Sequence, residues 1–204
     1  MRAALGASVA VAAVVCAGCL ARGDFRPTHY YTLAPEPEAA TPAEAAPLRV
    51  TVSVRRFTAN ARYGQRIVRR LSAVELDYDE YHRWSESPEE LVGEALCRAL
   101  RARRVFASVV GPDLEVVSDV TVEGHVLAFE QTVDQQAECA VAFVVRRQSD
   151  GKALWAGSFT ARDPMGGPSR ADLAQAMSLS VSQIADQCAQ AWRALKALQP
   201  APSP

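Results

Sequence analysis

The sequence predicts a mixed α/β or α+β domain, and three observations carry that expectation. LRVTVSVRRF at 48–57 alternates apolar and polar residues with period two, the mark of a half-buried strand. Two serine-led capping patterns, Ser87…Glu90 and Ser169…Asp172, each open an apolar stripe with helical spacing. Between them, residues 119–162 hold three strand-like runs separated by turn signals, which describes an antiparallel meander.

The chain opens with Arg2 and an uncharged run of small and β-branched residues from Ala3 to Val15, a secretory-signal layout too short to span a bilayer. Small residues precede Cys19, and CAGC at 16–19 resembles a bacterial lipobox, with Cys16 standing where leucine is commonest. The resemblance implies that 1–18 is a lipoprotein signal peptide and Cys19 the first mature residue, carrying diacylglycerol; the alternative is an ordinary signal peptide cut near Ala21. Acyl chains contribute roughly 0.8 kcal/mol per buried methylene, so several chains on one residue anchor it firmly. Leu20, in place of aspartate, points to the outer membrane.

Residues 19–27 read as a lipidated tether, and THYYTL (28–33) as a strand. The segment 34–47 is rich in Pro, Ala and Glu without hydrophobic period, so a loose surface loop is expected. In the 48–57 strand, Val50, Val52 and Val54 share one face. Shorter strands follow at 66–71 and 74–81 around a Ser72–Ala73 turn, the second with Leu76, Tyr78 and Glu80 opposite Glu75, Asp77 and Asp79.

Ser87-Pro88-Glu89-Glu90 is a capping box with proline at the first helical position, where no useful donor is lost. The helix it opens runs over 88–103 with Leu91, Val92, Ala95, Leu96, Ala99 and Leu100 on one stripe. A strand at 105–110 ends at Gly111–Pro112. Asp119–Gln131 places Val120, Val122, Val126 and Ala128 on one face, with strands at 138–148 and 153–162 completing the meander across a Ser149-Asp150-Gly151-Lys152 turn. The second helix is expected over 170–198. Its seam of Ala174, Met177, Val181, Ile184, Cys188, Ala191, Leu195 and Leu198 is read as lying on the sheet, with a subunit seam as the alternative. Residues 199–204 form a frayed tail.

With 22 Lys+Arg against 23 Asp+Glu, the net charge of −1 argues against general nucleic-acid affinity. Cys97, Cys139 and Cys188 are far apart and lack metal-ligand spacing, so no metal or cofactor is expected and each reads as a small buried hydrophobe. Whether two of them pair is left open. The stretch YDEYHRWSESPEELV gathers Asp79, His82 and Ser85, yet residues along one strand and its exit rarely converge into a triad. No GxSxG, HExxH or phosphate-binding glycine loop is present, and His29 and His125 have no partner for catalysis. Trp84 is expected to pack at the strand-to-helix junction, with His82 and Arg83 bonding carbonyls or the Asp77 and Asp79 carboxylates.

The lipobox, HYYTL, VSVRRF, YHRW with its following proline at 81–88, and VTVEGHVLAFEQ resemble the ABC-type transport auxiliary lipoproteins over about residues 28–196. The resemblance implies a three-layer α/β/α fold with a mixed, largely antiparallel sheet, and a single domain over 28–198. It implies a non-catalytic periplasmic component beside a permease, an ATPase and a protein with a mammalian-cell-entry (MCE) domain, moving lipids or other hydrophobic molecules between membranes. A homo-oligomeric collar is a further expectation. Tyr31, Tyr81, His82, Arg83 and Trp84 are the candidate partner or substrate contacts. The rival readings are another outer-membrane assembly lipoprotein, of the lipopolysaccharide-translocon or cell-wall-synthase-activator type, and a small periplasmic hydrolase.

Overall fold

The computed structural model describes residues 26–34, 46–114, 116–195 and 198. The expected signal peptide, Cys19, the expected tether as far as residue 25, residues 35–45 of the expected loop and the expected tail at 199–204 lie outside them. The chain runs through β1 (His29–Tyr31), β2 (Leu48–Val54), β3 (Thr58–Ala59), β4 (Arg66–Arg70) and β5 (Leu76–Trp84) into α1 (Pro88–Ala102). It continues through β6 (Phe106–Val110), β7 (Val120–Gln131), β8 (Gln136–Arg147) and β9 (Ala153–Pro164) to α2 (Arg170–Arg193). The nine strands join in one mixed sheet, which with the two helices makes an α/β fold.

β7 is the axis of this sheet. One edge pairs antiparallel with β8, which in turn pairs antiparallel with β9, as the meander predicts. The other edge is shared in succession by three parallel strands: β2 beside Val120–Val122, β3 beside His125–Val126 and β4 at Gln131. A strand of this length spans about 40 Å, long enough to seat three short partners in series. β6 extends the sheet beyond β2, while β5 and then β1 extend it beyond β4. The parallel ladders are short and the two meander ladders long, so most paired length is antiparallel.

Alternation inside β7 does not hold throughout. Val126 faces Val141 and Ala128 faces Ala140, so Leu127 is an extra residue. Such a bulge inverts the facing of everything after it. Phe129, 1% exposed, therefore takes the inward place expected of Ala128.

The capping residues act where the spacing puts them. The Ser87 amide donates to the Glu90 carboxylate at 3.2 Å, and the Ser87 hydroxyl donates to the same oxygen at 2.8 Å. The Glu90 amide goes instead to the Ser87 carbonyl. The reach of the Glu90 carboxylate back to the Ser87 amide is thus the half of the expected capping box that forms as a hydrogen bond here. At α2 both halves form, with the Asp172 amide on the Ser169 hydroxyl and the Ser169 amide on the Asp172 carboxylate.

α2 stops at Arg193 rather than running to 198. Its last turns tighten to three-residue bonds, Leu195 to Trp192 and Leu198 to Leu195, which bring Leu198 back onto the core. Trp192, which the expected seam omitted, is fully buried, whereas its member Ala191 is only half-buried. The helix lies on β8 and β9 and touches α1. Phe143 of β8 meets Phe57 just ahead of β3 and Trp192 on α2, so strands and helices share one apolar core. Cys97, Cys139 and Cys188 are all buried and free.

Candidate functional site

The segment YDEYHRW occupies β5, and β5 does not follow β4 in step. Arg66 pairs with Arg83 and Val68 with Tyr78, so Asp79, Glu80, Tyr81 and His82 swing out opposite the single residue Ile67. Amides in such an excursion lose their ladder partners. Asp79 replaces them: one carboxylate oxygen accepts the amides of Tyr81 at 3.1 Å and His82 at 3.0 Å. Its other oxygen accepts the Arg170 guanidinium at 2.8 Å, and Arg170 also donates to the Gln131 side chain at 3.0 Å. One carboxylate thus fastens the excursion of β5 to the start of α2 and the end of β7. Burial pushes the Asp79 carboxyl upward, but Arg170 and the two amides outweigh it and hold the group below the usual carboxylate range.

β1 lies parallel along this excursion, with His29, Tyr30 and Tyr31 opposite His82, Arg83 and Trp84. The Tyr31 hydroxyl is 2.9 Å from His82 Nδ1, and the His29 ring stacks on His82 with centroids 5.2 Å apart. Upstream, the Arg26 guanidinium sits 5.6 Å over the Tyr81 ring. Downstream, the Ser85 amide donates to the Tyr31 carbonyl at 2.7 Å, and the Ala34 amide to the Ser178 hydroxyl on α2 at 2.9 Å. The chain arriving from the N-terminus is therefore held against the sheet edge by main-chain bonds and aromatic contacts.

Tyr31 and His82 meet here, while Tyr81 lies under Arg26 and Arg83 lines a pocket with Arg62, Arg66 and Tyr78; all four are half-buried. Trp84 does not join them. It is 1% exposed and packs edge-on against Phe129 at 4.9 Å, which corrects its inclusion among the surface contacts and agrees with its packing role at the junction. Asp77 pairs with Arg69 and Asp79 with Arg170, so of the two partners expected for His82 and Arg83, carbonyls or these carboxylates, the carboxylates are engaged elsewhere. Asp79, His82 and Ser85 are not joined in a relay: Asp79 reaches His82 through its main-chain amide, and the His82 ring is bonded to Tyr31. Cys19 lies outside the described residues.

Other polar groups are also consumed in place. Glu130, 3% exposed, accepts the Tyr63 hydroxyl at 2.6 Å and is clasped by Arg70. His125 lies between the Thr58 hydroxyl at 2.7 Å and the Asn60 side-chain oxygen at 3.1 Å. Asp163 takes the Ser180 hydroxyl and the Gln183 amide, each at 2.7 Å. Among the described residues no group of three His, Cys, Asp or Glu side chains converges as a metal site, and no helix is long and apolar enough to cross a membrane.

Two features of this edge escaped the sequence reading. The Asp79–Arg170 link joins residues far apart in the chain, yet Arg170 carried a signal: a cation in the first turn of a helix opposes the dipole and needs another partner. The stacking of His29 on His82 had no such signal, because it depends on the parallel register of β1.

Fold and edge together define an α/β domain built to hold an incoming N-terminal segment along its sheet. The chain belongs to the family of ABC-type transport auxiliary lipoprotein components, whose sequence pattern matches residues 31–189. No curated protein sequence matches it. A crystal structure of a Xanthomonas campestris protein is similar at 20% identity and a TM-score of 0.65, covering 81% of this chain and 91% of that one. A second solved structure, of an uncharacterized protein, is similar at 14% identity and a TM-score of 0.66, covering 81% and 99%. At these identities both show the fold alone. The PelC dodecamer from Paraburkholderia phytofirmans, at 17% identity, 71% and 89% coverage and a TM-score of 0.42, is too distant to carry an argument.

Proposed function

We propose that this protein is a periplasmic lipoprotein, anchored through acylated Cys19, that serves as the non-catalytic auxiliary component of an ABC transport system. Its partners are an MCE-domain protein with the system's permease and ATPase, and its task is to assist the passage of lipids or other hydrophobic molecules between the inner and outer membranes. The observation that carries this reading is the family match over residues 31–189. The geometry supports it: Asp77, Asp79 and His82 of the β1–β5 edge are engaged in holding backbone and neighbouring elements, which suits a docking body. Leu20 after the anchor cysteine favours the outer membrane.

In this reading the acyl chains keep the domain at a lipid surface. β1 transmits that attachment to the sheet through its bonds to β5. Tyr30, 63% exposed, and the half-buried Tyr31, Tyr81, His82 and Arg83 form the contact surface for a partner. Copies of the domain forming a collar around the transport path belong to the same proposal.

Two measurements test it. Cys19→Ser is expected to abolish metabolic labelling with palmitate; labelling that persists places the modification elsewhere. Affinity isolation of the detergent-solubilised protein is expected to recover an MCE-domain protein together with permease and ATPase. Repeated isolation without them, or with a cell-wall synthase in their place, overturns the partner assignment.

A further inference from the structure

Arg69 of β4 lies beside Gln131 of β7 on adjacent parallel strands, and each strand ends within one residue of that pair. The turns that follow, 71–75 after β4 and 132–135 after β7, therefore project side by side from one end of the sheet. Both are tightly closed, the first by the Leu71 amide on the Glu75 carbonyl and the second by the Thr132 amide on the Gln136 carbonyl. Both carry aliphatic side chains into solvent: Leu71 is 48% exposed, Val74 94% and Val133 56%. A closed, polar-flanked turn has no folding reason to display valine at its apex.

The incoming chain heads for the same end. β1 runs parallel to β5 and begins level with His82, so residues upstream of His29 run back toward the start of β5, where the 71–75 turn lies. Arg26 over the Tyr81 ring marks that direction. From Cys19 to Arg26 the chain reaches at most about 25 Å when fully extended. If lipid holds Cys19, the end of the sheet bearing the two turns is held within a short distance of the membrane.

We infer that these two turns form an interfacial membrane contact, with Leu71, Val74 and Val133 dipping into the lipid surface that carries the anchor. The inference rests on the acylation of Cys19 proposed above. It gives the domain a defined orientation: strand β7 stands with its Gln131 end toward the membrane and its Val120 end about 40 Å away. The nearest arginines are already neutralised, Arg69 by Asp77 and Arg70 by Glu130. The turns also carry the exposed carboxylates Glu75 and Asp134, so the contact rests on the three aliphatic side chains and does not call for anionic headgroups, as for residues that insert at the acyl boundary.

The test uses the full acylated protein in phosphatidylcholine vesicles, with and without phosphatidylglycerol. A single cysteine at Val74, Val133 or Val117 carries an environment-sensitive fluorophore; Val117, 95% exposed beside the start of β7, is the matched control at the far end. Cys97, Cys139 and Cys188 are buried and stay unlabelled. The expected result is a blue shift at 74 and 133, with loss of emission when the lipids carry a quencher, and no change at 117, in both vesicle types. Flotation of the unlabelled protein reports the anchor separately. Protein that fails to float with vesicles sinks the acylation reading. Protein that floats while the probes at 74 and 133 remain as wet as that at 117 refutes this inference alone, as does a shift at 117 with none at 74 and 133.

Discussion

Replacing Asp79 by asparagine tests the part of the structure on which the β1–β5 edge depends. The carboxylate holds Arg170 at 2.8 Å and two otherwise unladdered amides at 3.1 and 3.0 Å, with its side chain 11% exposed and that of Arg170 14%. Hydrogen bonds to charged groups contribute about 1.5–3 kcal/mol each, and breaking one partner of a buried pair costs about 3–5 kcal/mol. Arg170 keeps Gln131, and asparagine still offers a carbonyl to the amides, so a loss of about 2–3 kcal/mol is expected. With a urea dependence of about 2 kcal/mol per molar, the unfolding midpoint falls by roughly 1–1.5 M. A double-mutant cycle with Arg170→Gln isolates the pair, and a coupling of about 1 kcal/mol or more is expected. The pH dependence has a definite sign. Because the folded-state pKa of Asp79 lies below its ordinary value near 3.9, its stabilisation is present above that value and disappears as pH falls through the folded-state pKa. The asparagine variant lacks this part of the acid loss. A coupling below about 0.3 kcal/mol would refute the assignment of Asp79–Arg170 as the fastening of β5 to α2.

Two further predictions concern the body that carries this edge. A Cβ at Gly124 would lie 2.5 to 2.6 Å from ring atoms of Phe57, which is itself backed by Phe143. Gly124→Ala is expected to cost about 1–3 kcal/mol in chemical denaturation, and Phe57→Leu in the same chain to recover part of it; strictly additive losses contradict the steric account. The thiols give a second readout. Burial, helped by Glu94 and opposed by Arg101 and Arg98, pushes Cys97 up to about 11, and burial raises Cys139 and Cys188 as well. All three should resist a thiol reagent at pH 8 in the folded protein and react promptly in urea; any one reacting natively at the rate of an open cysteine shows that the core is looser than described.

The helices and the meander were legible because their signals are local. A serine followed three residues later by an acid, with an apolar stripe behind it, requires no knowledge of the rest of the chain, and both helices start where that pattern puts them. The Ser149–Lys152 turn is of the same kind. Departures came where a distant strand intervened. The bulge at Leu127 reverses the facing of Phe129 because β8 pairs across it without the extra residue. The excursion at Asp79–His82 exists because β4 contributes one residue where β5 contributes four. Single-strand alternation contains neither fact.

The candidate site divides in the same way. YDEYHRW stood out by composition, and its exclusion from an Asp–His–Ser relay followed from strand geometry. The partners of Asp79 and His82 did not follow, since one comes from α2 and the other from β1. Trp84 was placed correctly at its junction, but only the packing against Phe129 removed it from the surface.

What the sequence by itself determined is therefore the inventory: a lipobox-like CAGC at 16–19, an α/β set of elements, two capped helices, three widely spaced cysteines in the body and a family pattern. Tertiary structure alone decided which residues meet. It laid β1 on β5, seated three short strands along β7, tied Asp79 to Arg170, and set the turns at Val74 and Val133 beside each other at the start of β5. The physical reason is range. Caps, turns and periodicity are settled within a few residues, whereas register, burial and ion pairing depend on segments that only the folded chain brings together.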